Sequence, residues 1–154
     1  MAYDKAKWHF DAEDFPEGIE IEQGGVHIAF FYRWMIENNF SGQDMLEEVS
    51  NEIQLIKEGK YSALDLLFDF CDGVFMGEDF EGKGVEFADQ YYETGTPFSE
   101  KYSSYLEDYI NLKLEHMNDL ENSDYGVTFT NRNYEIVKAI IDKRYSEYLN
   151  FIEK

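Results

Sequence analysis

His9 and His27 are the residues of this 154-residue chain best suited to chemistry. Asp4, Asp11 and Asp14 flank His9 in the N-terminal segment, and His27 stands at the start of a long apolar run. If the segment folds back, both imidazoles meet one of these carboxylates. Two histidines and a carboxylate can hold a divalent metal ion with a coordination position left open. The same groups can act as a base and the residue that orients it. The candidate ligand set is His9, His27, Asp4 and Asp14. No local ligand motif such as HExxH supports it. The plainer reading, which the sequence favours, makes His27 a packed core histidine and His9 a hydrogen-bonding partner that fixes the N-terminus. His116 falls late in a stretch expected to be helical, where a cation suits the C-terminal end of the helix dipole.

A second constellation is purely acidic. Asp65, Asp69 and Asp72 recur at i, i+4 and i+7, so a helix would set them in a row. Like charges so placed cost about 0.2–0.5 kcal/mol per pair. Glu78, Asp79 and Glu81 follow directly. These acids do not follow the calcium-loop pattern of an EF-hand. As a row of oxygens, the six suit the lysines and arginines of a basic protein. The plainer reading is a solvated helix face beside a loop.

Nucleophilic catalysis has no support. Cys71 has acids at positions 69 and 72, and negative neighbours raise a thiol pKa, the wrong direction for a nucleophile. There is no GxSxG, GxGxxG or P-loop, and no cofactor is expected.

The surroundings of these residues are strongly charged. The chain has 33 acidic and 13 basic side chains, a formal net charge of −20, yet is 44% hydrophobic and 18% aromatic. An acidic chain with that much to bury folds rather than staying disordered. Its field repels nucleic acid and anionic membrane and attracts basic proteins and cations. Residues 1–60 hold 13 acids and 5 bases, residues 61–124 hold 16 and 3, and residues 125–154 hold 4 and 5, so the negative field centres on the middle. The single cysteine permits no internal disulfide, and the N-terminus has no signal-peptide character. Gln23 to Tyr32, a run of ten uncharged residues, is too short to cross a bilayer. A cytoplasmic location is expected.

The elements that must position these residues are mostly helical in their apolar spacing. Residues 1–22 read as irregular or a short helix. A helix is expected over about Gly24 to Asn38, with Val26, Phe30, Phe31, Trp34 and Met35 as its stripe. Ser41, with Asp44 three residues on, predicts the start of a second helix ending at Gly59. Ser62 with Asp65 starts a third, broken at Asp72-Gly73. Val74 to Gly84 reads as a surface loop, and Val85 to Tyr92 as a short helix. Thr96-Pro97 opens a long helix to about Met117. Gly126 to Thr130 is extended, and a last helix spans about Asn133 to Ile152. The expected fold is all-α, one domain over residues 1–154, a compact bundle of five or six helices with an irregular N-terminal segment and one short extended segment near 126–130.

The run Tyr3-Asp4-Lys5-Ala6-Lys7-Trp8-His9-Phe10, with Asp14-Phe15-Pro16 and His27-Ile28-Ala29-Phe30-Phe31-Tyr32-Arg33-Trp34, resembles an uncharacterised family of small acidic bacterial proteins, a domain of unknown function. Phe87-Ala88-Asp89-Gln90-Tyr91-Tyr92, Tyr105-Leu106-Glu107-Asp108-Tyr109 and Ile141-Asp142-Lys143-Arg144-Tyr145-Ser146-Glu147-Tyr148 extend the resemblance over nearly the whole chain. The family opens with Tyr-Asp-x-Ala-x-Trp/Tyr-His. Tyr148 stands where the resemblance leads one to expect Trp. The resemblance implies a bacterial origin and a stand-alone domain, and no activity.

By size, charge and helicity the chain also looks like immunity proteins that block toxins. The leading expectation is a non-enzymatic protein whose Asp65, Asp69, Asp72, Glu78, Asp79 and Glu81 sequester a basic partner such as a toxin, with no nucleic-acid or membrane partner. The alternative is a small metal-dependent or acid/base enzyme using His9, His27 and a nearby carboxylate. A third is a homo-oligomer joined through the tyrosine-rich 98–112 stripe.

Overall fold

The computed structural model describes residues 2–153; Met1 and Lys154, the ends of the expected domain, lie outside the described residues. The chain starts with a strand, β1 (Ala2–Lys5), and passes directly into α1 (Ala6–Phe10). A 3-10 turn over Ile21–Gly25 leads into α2 (Val26–Glu37). Then come α3 (Gln43–Glu48), α4 (Ser50–Lys57), α5 (Ala63–Cys71) and β2 (Val74–Met76). The rest is α6 (Lys83–Tyr91), α7 (Pro97–Lys101), α8 (Tyr105–Ile110) and α9 (Asn131–Ile152). The described residues thus form a mostly helical fold of nine α-helices, with β1 and β2 paired as a small antiparallel sheet.

The organising element is α2. Every residue from Val26 to Ile36 except Arg33 is buried. A helix apolar all round belongs inside, and this one is the axis on which α4, α5 and α9 pack. Its polar atoms are tied off individually. Trp34 Nε1 donates to Asp142 Oδ1 at 2.8 Å, and Tyr32 Oη lies 2.8 Å from Cys71 Sγ. Around Phe31 the rings of Phe75, Phe87, Tyr92 and Tyr105 meet at centroid distances of 4.9–6.2 Å, within the range of favourable aromatic pairing.

Several expectations need correction. The fold is not strictly all-α: Val74–Met76, expected in a surface loop, is the strand that receives β1, with Asp4 opposite Phe75 and Lys5 opposite Val74. Three residues are too few to show a period of two. The helix expected over 41–59 is two, because Val49 leaves the helical region at φ −130°, ψ 34°. Ser41 caps neither; it bridges to Phe80, and its hydroxyl is buried without a partner among the described residues. The helix expected from Pro97 to Met117 ends at Lys101. Ser104 then caps α8 by accepting from the Glu107 N–H, and residues 111–123 contain no helix. His116 therefore ends no helix; it bridges to Val127, and its Nδ1 pairs with the Leu114 carbonyl. The 98–112 stripe does not offer a tyrosine surface: Phe98, Tyr105 and Tyr109 are buried in the core. No described helix is long and apolar enough to cross a membrane.

Candidate metal centre

Three elements converge at one end of α2. β1 supplies Asp4, whose register with β2 shifts between Ala2 and Asp4. Such irregularities re-aim side chains, and Asp4 is left only 3% exposed. α1 follows at once and carries His9 back over the strand. His27, 6% exposed, comes from the first turn of α2. The close approach of α1 depends on Gly24: a Cβ there would stand 3.1 Å from the Ala6 carbonyl oxygen, 3.2 Å from Phe10 N and 3.4 Å from the His9 Cβ.

The result is a triangle of side chains that meet through four donor atoms, two imidazole nitrogens and both oxygens of Asp4. His9 Nε2 lies 2.7 Å from Asp4 Oδ1, His27 Nε2 lies 3.0 Å from Asp4 Oδ2, and the two Nε2 atoms are 3.1 Å apart. Tyr92 donates to Asp4 Oδ2 at 2.8 Å, and the Lys5 backbone N–H donates to Oδ1 at 2.8 Å. On the far side of its ring, His9 Nδ1 pairs with Tyr125 Oη at 2.9 Å. The Tyr105 hydroxyl donates to the His27 carbonyl at 2.6 Å and fixes the first turn of α2. Gln23 holds the Tyr125 segment by donating to the carbonyls of Tyr125 and Val127.

Charge states follow from these neighbours. Burial pushes the Asp4 carboxyl up, but hydrogen bonds from His27 and His9 outweigh it and hold Asp4 well below the usual carboxylate range. Burial pushes His27 down, and attraction to Asp4 does not offset that, so His27 is a neutral imidazole near neutral pH. An ionised carboxylate and a neutral imidazole are the forms that bind metal.

With Asp4 ionised, no assignment of protons turns all three sides of the triangle into hydrogen bonds. If both Nε2 atoms carry hydrogens toward Asp4, two donors face each other across 3.1 Å. If one does not, its lone pair faces a carboxylate oxygen. A cation at the centre accepts from all three at once. Ligands about 2.0–2.1 Å from an ion such as zinc stand roughly 3 Å from one another, which is the spacing of these three contacts. Tyr125 would then fix the His9 tautomer by accepting from Nδ1–H.

A family model for a domain of unknown function, DUF7832, matches residues 2–127. The chain belongs to this family. No curated protein matches it, and no solved structure does. Asp4, His9, His27, Tyr92 and Tyr125 all fall within the matched span, whereas α9 lies beyond it.

Asp14, the fourth candidate ligand, is not at the triangle. It lies at the mouth of a pocket of about 180 Å³ that His9 and His27 also line, with Leu106, Tyr109, Ile110, Asp124 and Tyr125. The tyrosines of this site carried no sequence signal, because Tyr92, Tyr105 and Tyr125 reach it across 78 to 116 positions of chain.

The six acids assigned to a basic partner do not form one row. Asp65 and Asp69 are exposed on α5. Asp72 is not helical; it caps α5 in the left-handed region at φ 54°, which turns it away from the other two. Asp72 and Asp79 instead share a depression with Asp44 and Glu48. Glu78 lines a different one, beside Tyr3 and Asp89, and Glu81 is exposed next to Phe40, whose carbonyl its N–H meets at 2.8 Å.

Proposed function

We propose that this protein binds one divalent transition-metal ion through Asp4, His9 and His27 and uses the ion's open side for chemistry on a small molecule held in the adjoining pocket. The observation that carries this reading is the donor triangle, whose three contacts cannot all be hydrogen bonds. Two imidazoles and one carboxylate suit zinc, iron, nickel or cobalt better than calcium or magnesium, which prefer all-oxygen shells. Three protein ligands leave room for water, whose pKa an ion such as zinc lowers toward neutrality. The pocket lies on the side of the site bordered by both imidazoles. The test is equilibrium dialysis of chelator-stripped protein against zinc and cobalt, followed by elemental analysis. One equivalent is expected for the wild type and none for His9→Ala/His27→Ala. No retained metal, or equal retention by the double variant, contradicts the reading.

A second reading, an immunity-like protein that docks a basic partner, is favoured by the depression around Asp72 and Asp79. Its floor includes Met45 and Val49, and the exposed Phe70 and Met76 stand on its edge. Burial pushes the Asp79 carboxyl up, and Glu78, Glu48 and Asp44 add to the push. A lysine or arginine from a partner would relieve that repulsion. Charge reversal at Asp72, Asp79 and Glu48 should abolish any salt-sensitive complex; one that survives it counts against this reading.

A further inference from the structure

The pocket beside the triangle contains a polar group that the fold leaves without a partner. Tyr109 is 5% exposed, and its hydroxyl is buried with no hydrogen-bond partner among the described residues. Leaving a buried hydroxyl unpaired is costly, so an orphan on a residue that lines a pocket is a place where an arriving acceptor gains most. Tyr109 stands directly against the metal site, its ring centroid 5.8 Å from that of His27. Burial pushes its phenol well above the usual range and Asp124, which also lines the pocket, adds to the push, so the hydroxyl keeps its proton.

The mouth has the opposite character. Asp14 and Asp124 are both exposed there, and neither is in an ion pair among the described residues. The apolar lining includes half-buried Leu106 and exposed Ile110. The volume of about 180 Å³ falls below the roughly 300–1,000 Å³ of sites for drug-sized ligands. The protein's net charge of −20 raises the local concentration of cations at such a mouth.

We infer that the pocket takes a small organic amine with an oxygen function a few bonds away: the ammonium sits between Asp14 and Asp124, the carbon chain lies against Leu106 and Ile110, and the oxygen accepts from Tyr109 while facing the ion. This ligand class rests on the metal reading of the same site.

The test uses cobalt-loaded protein, whose visible absorption reports ligands entering the metal's coordination sphere. Two probes share one chelating head, acetohydroxamate without an amine and glycine hydroxamate with one. Metal content is measured first for every variant. Glycine hydroxamate is expected to bind about 2–5-fold more tightly, an effect the size of one favourable exposed ion pair, and the preference should vanish in Asp14→Asn/Asp124→Asn. Tyr109→Phe should weaken both probes about 5–10-fold. Equal binding of the two probes to cobalt-loaded wild type, a preference that survives the double variant, or unchanged binding by Tyr109→Phe overturns the ligand class and leaves the metal site standing. Failure to load cobalt overturns both.

Discussion

Asp4 and Asp108 are two buried aspartates served by consecutive tyrosines and compensated in different ways. Tyr91 donates to Asp108 Oδ2 at 2.6 Å, and Tyr92 donates to Asp4 Oδ2 at 2.8 Å. Asp108 then takes a forked guanidinium, Arg144 Nε to Oδ2 at 2.9 Å and Nη2 to Oδ1 at 3.1 Å. Arg144 also holds Glu147 at 2.8 Å, and these partners push its pKa above even the usual arginine range. That site is closed: its charge is balanced by a permanent cation from α9. Among the described residues Asp4 has no lysine or arginine side chain as a partner; two imidazoles that can exchange protons for a metal stand in that place. A fold able to pair a buried acid with arginine pairs this one with two imidazoles, beside a pocket.

The comparison can be broken at either end. The largest effect on folding is expected at the closed site. Arg144→Ala strands a buried carboxylate and should cost about 3–5 kcal/mol. For a chain of this length that lowers Tm by about 10 °C, measured by thermal unfolding, with metal stoichiometry unchanged. Asp4→Asn, nearly the same shape, should cost less, about 1–3 kcal/mol of hydrogen bonding, but should abolish metal binding in calorimetric titration. In the wild type, zinc at 100 times its Kd should add about 2.7 kcal/mol of stability, a gain that Arg144→Ala keeps and Asp4→Asn loses. Gly24→Ala presses a methyl against the backbone of α1 and should cost about 1–3 kcal/mol, with metal affinity falling because His9 is displaced. Tyr125→Phe should act least on stability, about 0.5–1.5 kcal/mol, while weakening metal binding about tenfold by freeing the His9 ring. If Arg144→Ala lost metal as fully as Asp4→Asn, the two sites would not be separable.

Much of this was legible in the residues, and the misses have physical causes. The pair His9 and His27 stood out by type, and Asp4 was among the acids named with them. What closes the triangle is the pairing of β1 with Val74–Met76, and so short a strand between glycines has no readable period. Tyr105 and Tyr109 read as part of the apolar 98–112 stripe and Tyr92 as the end of a short helix, and nothing marked Tyr125, since a hydroxyl's partner across the fold leaves no trace in local spacing. The capping signal of Ser104 with Glu107 was present and could have divided the 97–117 helix. The break at Val49 has neither glycine nor proline to announce it. α2 showed one stripe in sequence because Tyr32 and Ile36 are buried on its other sides by elements that spacing within a single helix cannot reveal.

X-ray absorption at the zinc edge of protein loaded with one equivalent tests the metal site most directly. The expected shell is nitrogen and oxygen at about 2.0–2.1 Å, with the outer scattering of two imidazoles and no sulfur. A sulfur scatterer at about 2.3 Å, or a shell without imidazole scattering, would place the ion elsewhere and leave Asp4, His9 and His27 as a hydrogen-bonded anchor for the N-terminus.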